Sequence, residues 1–242
     1  MAYSESPLFW TLALIGVLLT GISKSGFAGG AGVIAVPLLA LVMPAEQAAA
    51  LMLPLLIIMD TNTVYLYRKI IDTQALKPIA LAALIGIAIA GTAMAALPSS
   101  VLQTSLAFFC IAFACWHKLT LILGKLPGAA FIWGTISGIS STLLHAGGPP
   151  ITIYFMSKGF SKAVWVAQAA LFFAFMNLVK VIPYSLNNLW SLDYLLISIA
   201  LVPIALAGIF IGHTIQAMIS EELFTLVCRV LLGLIGVFLL IK

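Results

Sequence analysis

The segment Gly21-Ile22-Ser23-Lys24-Ser25-Gly26-Phe27-Ala28-Gly29-Gly30-Ala31-Gly32, closed by Pro37, lies inside an apolar run covering 7–43. Glycine in a helix interior costs about 1 kcal/mol relative to alanine, so glycine at this density breaks the helix that the run would otherwise form. The pattern returns as Gly138-Ile139-Ser140-Ser141-Thr142-Leu143-Leu144-His145-Ala146-Gly147-Gly148-Pro149-Pro150. Both copies begin Gly-Ile-Ser, continue through small hydroxylated residues and end in a glycine pair. Both are embedded in sequence apolar enough for lipid. The chain is organised around two helix breaks inside a membrane.

Composition supports the same class. Of the 242 residues, 63% are hydrophobic and 7% charged, and the mean hydropathy is +1.22. Soluble domains carry roughly 25% charged residues. No soluble core hides this much apolar surface, so the chain reads as an all-α, multi-pass protein of the inner or plasma membrane, with the lipid bilayer around it. Its charges gather at 68–77, 118–125, 158–162 and 221–222, as loops between spans would. The net charge of +4 therefore reads as positive-inside signalling and implies no nucleic-acid partner. Cys110, Cys115 and Cys228 sit in apolar runs and read as small core residues, with no disulfide framework expected. No basic n-region precedes the first apolar run, which reads as structure rather than as a removable signal.

Two repeats divide the chain. The first, 1–125, holds a broken helix at 7–43 and spans at about 47–67, 78–97 and 101–123. The second, 126–242, holds a broken helix at 129–156 and spans at about 163–184, 195–218 and 223–241. Gly21 matches Gly138, and the same offset of 117 residues sets Asp60 on Asn177. Small gaps then bring Gly91 onto Gly212 and Ser99 onto Ser220. Each break admits two shapes, a single crossing or a V that enters and leaves by one face. Single crossings make the halves parallel and put 158–162 opposite the other basic loops. V-shaped breaks make the halves inverted and gather all three basic clusters on one side, with Glu46 and Asp193 on the other. The positive-inside rule favours the inverted form.

The residues Gly26-x-x-Gly29-Gly30-Ala31-Gly32 with Pro37, the run 48–55 after them, and the echoes at 138–150 and 167–172 carry a likeness to a known family. The chain resembles the TauE/SafE sulfite exporter family, also called the toluenesulfonate uptake permease group, over essentially its whole length. The resemblance implies a secondary carrier for a small sulfur-containing anion, of sulfite, thiosulfate, organosulfonate or sulfoacetate type. His145 interrupts the second glycine segment, which ends in Pro149-Pro150. This departure from the pattern leaves the individual anion open.

A break in a membrane helix frees backbone groups that protein or a water-filled cavity must satisfy. A half-helix starting after Gly29-Gly30 or Gly147-Gly148 directs N–H donors and a partial positive charge into that cavity, which suits an oxyanion near the bilayer midplane. Pro149-Pro150 fits the first turn of such a helix. Tight helix packing through small residues is the competing explanation for either segment alone.

Lys24 is the sharpest single residue: a midplane lysine costs at least ~2.5 kcal/mol, so it needs a partner or an anion unless it snorkels to an interface. Lys180 is a further candidate for coupling or polar lining, but it lies near the end of its span, with Pro183 following, so snorkelling is the reading its position favours. His145, in the second break, is placed to bond substrate or carry a proton. Asp60 is an acid deep in an apolar span; it is a partner for Lys24 or Lys180, or the group that couples transport to protons. Ser25, Ser141 and Thr142 are candidate neutral ligands, and Asn62, Gln168 and Asn177 candidate polar lining. Trp10, Trp116, Trp133, Trp165 and Trp190 read as an interfacial belt.

A channel is the first competing class, but no filter-like run is repeated in the chain. A carrier of a non-sulfur carboxylate is the second. A membrane enzyme would need clustered catalytic groups, and His117, His145 and His213 fall in different spans without metal-ligand spacing. No catalytic residue, metal or cofactor is expected. Nothing in the sequence bears on oligomeric state.

Overall fold

A computed structural model describes residues 6–27, 34–94, 96–115, 124–215, 218 and 220–241. Gly29, Gly30, Trp116, His117 and Lys118 lie outside the described residues. Among the described residues, the first half holds α1 (Pro7–Gly26), α2 (Ala35–Ala40), α3 (Ala45–Tyr67), α4 (Thr73–Met94) and α5 (Ser99–Cys115). The second half holds α6 (Ala129–Leu144), α7 (Gly148–Met156), α8 (Lys162–Leu186), α9 (Leu192–Ile215) and α10 (Glu221–Ile241). Each half is a broken helix followed by three long ones. The helices over Pro7–Gly26, Ala45–Ile70, Thr73–Met94, Ala163–Leu186 and Leu192–Ile215 are long and apolar enough to cross a membrane.

Local chemistry sets the helix ends. Pro7 opens α1, where its missing N–H has no helical partner to lose. α4 begins at Thr73, well before the apolar run at Pro78, because the Asp72 carboxylate accepts the N–H groups of Gln74 and Ala75 at 2.9 and 3.3 Å. Ser220 caps α10 in the same way through the N–H of Leu223. α8 stops after Pro183, at Leu186.

Both short helices double back. Ala35 of α2 lies beside Gly16 of α1, where a Cβ on the glycine would stand 3.0 Å from the Ala35 Cα. In the second half, Tyr154 and Phe155 of α7 pack into one cluster with Ala129, at the start of α6. Each broken helix is thus a hairpin inside the fold rather than a straight crossing.

Backbone contact at glycine joins the halves. A Cβ on Gly21 would lie 3.0 Å from the Cα of Gly208, and one on Gly138 would lie 3.0 Å from the Cα of Gly86. Only small residues permit helices to approach this closely. The partners rise together along each pair: Gly26 meets Gly212, and Gly134 meets Ile79. α1 therefore runs parallel to α9, and α4 parallel to α6. By contrast α3 and α8 are antiparallel, since Asp60 meets Asn177 while Tyr67 packs on Ala167. The same holds for α5 and α10, where Gln103 reaches the Leu239 carbonyl and Arg229 reaches that of Ala114.

Candidate functional site

Two polar stripes face each other at the centre. On α3, Asp60, Thr63 and Tyr67 occupy positions i, i+3 and i+7; on α8, Asn177, Lys180 and Tyr184 do the same. That spacing puts each trio on one helix face, and all six side chains are buried. The stripes occupy positions 117 residues apart, with only the tyrosine shared, and they meet where the Asn177 amide donates to Asp60 Oδ2.

Each stripe holds its own helix break. The Tyr67 hydroxyl donates to the Ser25 carbonyl at 2.9 Å, and the Tyr184 hydroxyl donates to the Thr142 carbonyl at 2.8 Å. Both bonds span 42 residues, so the second is the first repeated. Each half also buries one lysine between its broken helix and the next helix, from opposite partners. In the first half Lys24 comes from α1 and pairs with Asp60 of α3. In the second half Lys180 comes from α8 and bonds Ser141, the counterpart of Lys24, on α6.

The two lysines are satisfied differently. Lys24 forms an ion pair with Asp60 Oδ1, and its ammonium lies 5.0 Å from the centre of the Phe173 ring. With Asn177 on Oδ2, both carboxylate oxygens are engaged. Lys180 Nζ has three acceptors, matching the three protons of an ammonium: Ser141 O at 3.1 Å, Ser141 Oγ at 3.0 Å and His145 Nδ1 at 2.8 Å. All three are neutral. Because Nδ1 accepts, the ring proton sits on Nε2, which donates to the Ala49 carbonyl at 2.9 Å. The buried acidic and basic side chains among the described residues are then Lys24, Lys180, His145 and Asp60.

His145 also closes α6. Its backbone is left-handed (φ 51, ψ 28), the conformation that helix ends usually give to glycine. Such a position costs a non-glycine residue about 1–3 kcal/mol, and the two ring bonds offset it. Gly147 follows at a point where a Cβ would lie 2.8 Å from the Ser141 Cβ and 2.9 Å from the Ser137 Oγ, so only glycine fits. α7 then starts Gly148-Pro149-Pro150, and the Ile151 N–H is already bonded to the Gly147 carbonyl. Two prolines leave this helix end poor in donors.

The structure brings Lys24, Asp60 and Asn177 into one chain of contacts, and Ser141, His145 and Lys180 into another, with Thr142 reached through Tyr184. Lys180 does not snorkel: it is fully buried, because Ser141 and His145 offer it acceptors that a longer reach to the interface would forfeit. Ser25 is buried with its hydroxyl on the Gly21 and Ile209 carbonyls, and Thr142 bonds back to Gly138. Asn62 stands apart, exposed on α3 with its amide on the Ile58 carbonyl. Gln168 is fully buried, and neither atom of its amide has a partner. It adjoins Ala167, which packs on Tyr67. An unpaired buried polar group costs about 1–3 kcal/mol, so this amide is available to a ligand.

A cleft of ≈ 360 Å³ opens where α3 begins and α8 ends, lined by Glu46, Ser99, Leu102, Asn187 and Asn188 among others. None of the clustered charges reaches it. Tyr184 stands between: the Leu189 N–H bonds its carbonyl, and its hydroxyl touches the second break.

Sequence reading missed Tyr67, Tyr184 and Thr63. The signal was present, since the offset that pairs Asp60 with Asn177 also pairs Tyr67 with Tyr184. It was masked because Tyr67 abuts Arg68 and Tyr184 follows Pro183, so both looked like span ends.

A profile of the family described as Sulfite exporter TauE/SafE matches residues 12–239. No curated protein and no solved structure matches the chain.

Proposed function

The chain belongs to the sulfite exporter TauE/SafE family of membrane transporters, and from that premise we propose that it is a secondary carrier that binds a small sulfur oxyanion at the centre of the bundle. The observation that carries this reading is the imbalance of buried charge, with Lys24 and Lys180 set against Asp60 alone. A buried ion retains a penalty of several kcal/mol even after relaxation, and an anionic substrate removes it. Lys180, Ser141, His145 and the backbone at Gly147–Gly148 form the proposed seat in the second half. Lys24, Ser25 and Gln168 form the facing wall, together with Gly29 and Gly30. Asp60 is the proposed coupling acid, and Asn177 holds it in place.

The halves are proposed to be inverted repeats. In support, α3 opposes its counterpart α8, α5 opposes α10, and both broken helices double back. This arrangement puts the loops bearing Lys69, Lys125 and Lys158 at one end and Glu46 at the other, as the charge rule asks. The charged cluster is closed on all sides, with no member more than 8% exposed. A closed central site accords with a carrier, which opens to one side at a time, better than with a channel. Uptake into proteoliposomes, with sulfite, thiosulfate, sulfoacetate and acetate compared side by side, tests the reading. Saturable uptake of a sulfur anion is expected, and acetate moving in preference to all three would overturn the sulfur assignment.

A further inference from the structure

The carrier reading fixes no charge for its cargo, but the buried groups do. Asp60 is committed at both oxygens, to Lys24 and to Asn177. Lys24 and Asp60 therefore cancel. His145 is neutral, because it accepts from Lys180 on one nitrogen and donates to Ala49 from the other. Lys180 remains, fully buried, its three protons on neutral acceptors. With Lys180 protonated, as three acceptors around Nζ suit, the cluster carries one positive charge with no carboxylate to answer it.

Resting on the carrier reading, we propose that the site selects its substrate by charge state and takes a singly charged oxyanion, of the hydrogen sulfite or alkanesulfonate kind, in preference to a dianion. A monoanion on Lys180 and Ser141 brings the buried cluster to neutrality. A dianion would leave one negative charge uncompensated in low dielectric, which costs as the bare ammonium does. Asp60 is then a specificity-determining residue. It never needs to touch the substrate, because it sets the charge of the cluster by neutralising Lys24.

Two permanently ionised tetrahedral anions separate charge from protonation. Purified protein in lipid nanodiscs is melted against methanesulfonate, a monoanion, and against sulfate, a dianion, at matched ionic strength. In the native protein the half-saturating concentration of methanesulfonate should be lower by at least about tenfold. Asp60→Asn raises the cluster by one positive charge and should reverse that order. The double variant Lys24→Met/Asp60→Asn restores the native count; loss of Lys24 from the wall should weaken both anions, but their native order should return, and this variant serves where the single variant does not fold. Equal or better protection of the native protein by sulfate overturns charge selection while leaving the carrier reading intact. An unreversed order in a folded Asp60→Asn protein also overturns it, and assigns the discrimination to shape. Protection by no anion at all overturns the carrier reading itself.

Discussion

Asp60 and Asn177 are hydrogen-bonded to each other and stand 117 residues apart, the interval that also separates Gly21 from Gly138 and Tyr67 from Tyr184. A residue that touches its own repeat counterpart lies near the axis relating the halves. The acid in the central cluster thus touches its own counterpart in the other half, and that counterpart is an amide. An amide can hold the carboxylate but cannot take its charge.

Breaking the Lys24–Asp60 pair from one side should be costly. Asp60→Asn leaves an ammonium buried beside a ring and an amide, and a loss of about 3–5 kcal/mol is expected. Lys24→Met/Asp60→Asn removes both charges and should recover most of that loss. Melting in detergent checks the comparison. A double variant no more stable than Asp60→Asn would mean that the pair does not account for the effect.

Coupling is tested on the same background. An anion moving alone carries charge across the membrane at about 2.3 kcal/mol per 100 mV, and a protonatable carboxylate lets a proton accompany or oppose it. In Lys24→Met/Asp60→Asn, exchange of labelled anion across the membrane is expected to persist at lowered affinity while flux driven by a pH gradient disappears. Unchanged pH-driven flux would remove Asp60 from the coupling step.

Much of this arrangement was legible before any coordinates, and the failures have physical reasons. The two glycine segments and the repeat offset follow from where glycine can sit in lipid-grade sequence, whereas the choice between a single crossing and a V rests on the positive-inside rule. Lys180 misled because position along a span was weighed without its neighbours. A lysine near a helix end snorkels only if nothing deeper accepts its protons, and Ser141 and His145 lie in another helix and its break. Asn62 misled for the converse reason: one residue before Thr63, it falls on the outer face of α3. Gln168 shows in sequence as a polar residue in an apolar span, but that its amide has no partner is a fact of packing alone.

Topology gives a third prediction. Single cysteines at Lys69, Lys125 and Lys158, all exposed, should react with an impermeant thiol reagent from the same side of the membrane. A cysteine at Asn188 should react from the opposite side. Lys158 reacting with Asn188 rather than with Lys69 would make the halves parallel and end the inverted reading.

The glycine crossings give a fourth. A Cβ at Gly138 would lie 2.3 Å from the Ala83 carbonyl, and one at Gly86 would lie 2.2 Å from that of Thr135. Both atoms are backbone and must move apart as whole helices. Gly138→Ala and Gly86→Ala should each cost about 1–3 kcal/mol, read as a lowered melting temperature. Gly128→Ala, in open space but at φ 74, should cost only its backbone strain.

The two buried lysines enter from opposite partners, Lys24 from the broken helix of one half and Lys180 from the long helix of the other. In a carrier made of identical inverted halves, the form open to one side would be the other form turned over, and the two would have equal energy. Here exchanging the roles of the halves swaps a charged pair for a lone ammonium on neutral acceptors. In the proposed carrier the degeneracy is lifted, and the empty form has a preferred face. One empty form is then the more populated, which sets the side the resting protein faces, while the direction of net flux is left to the gradients.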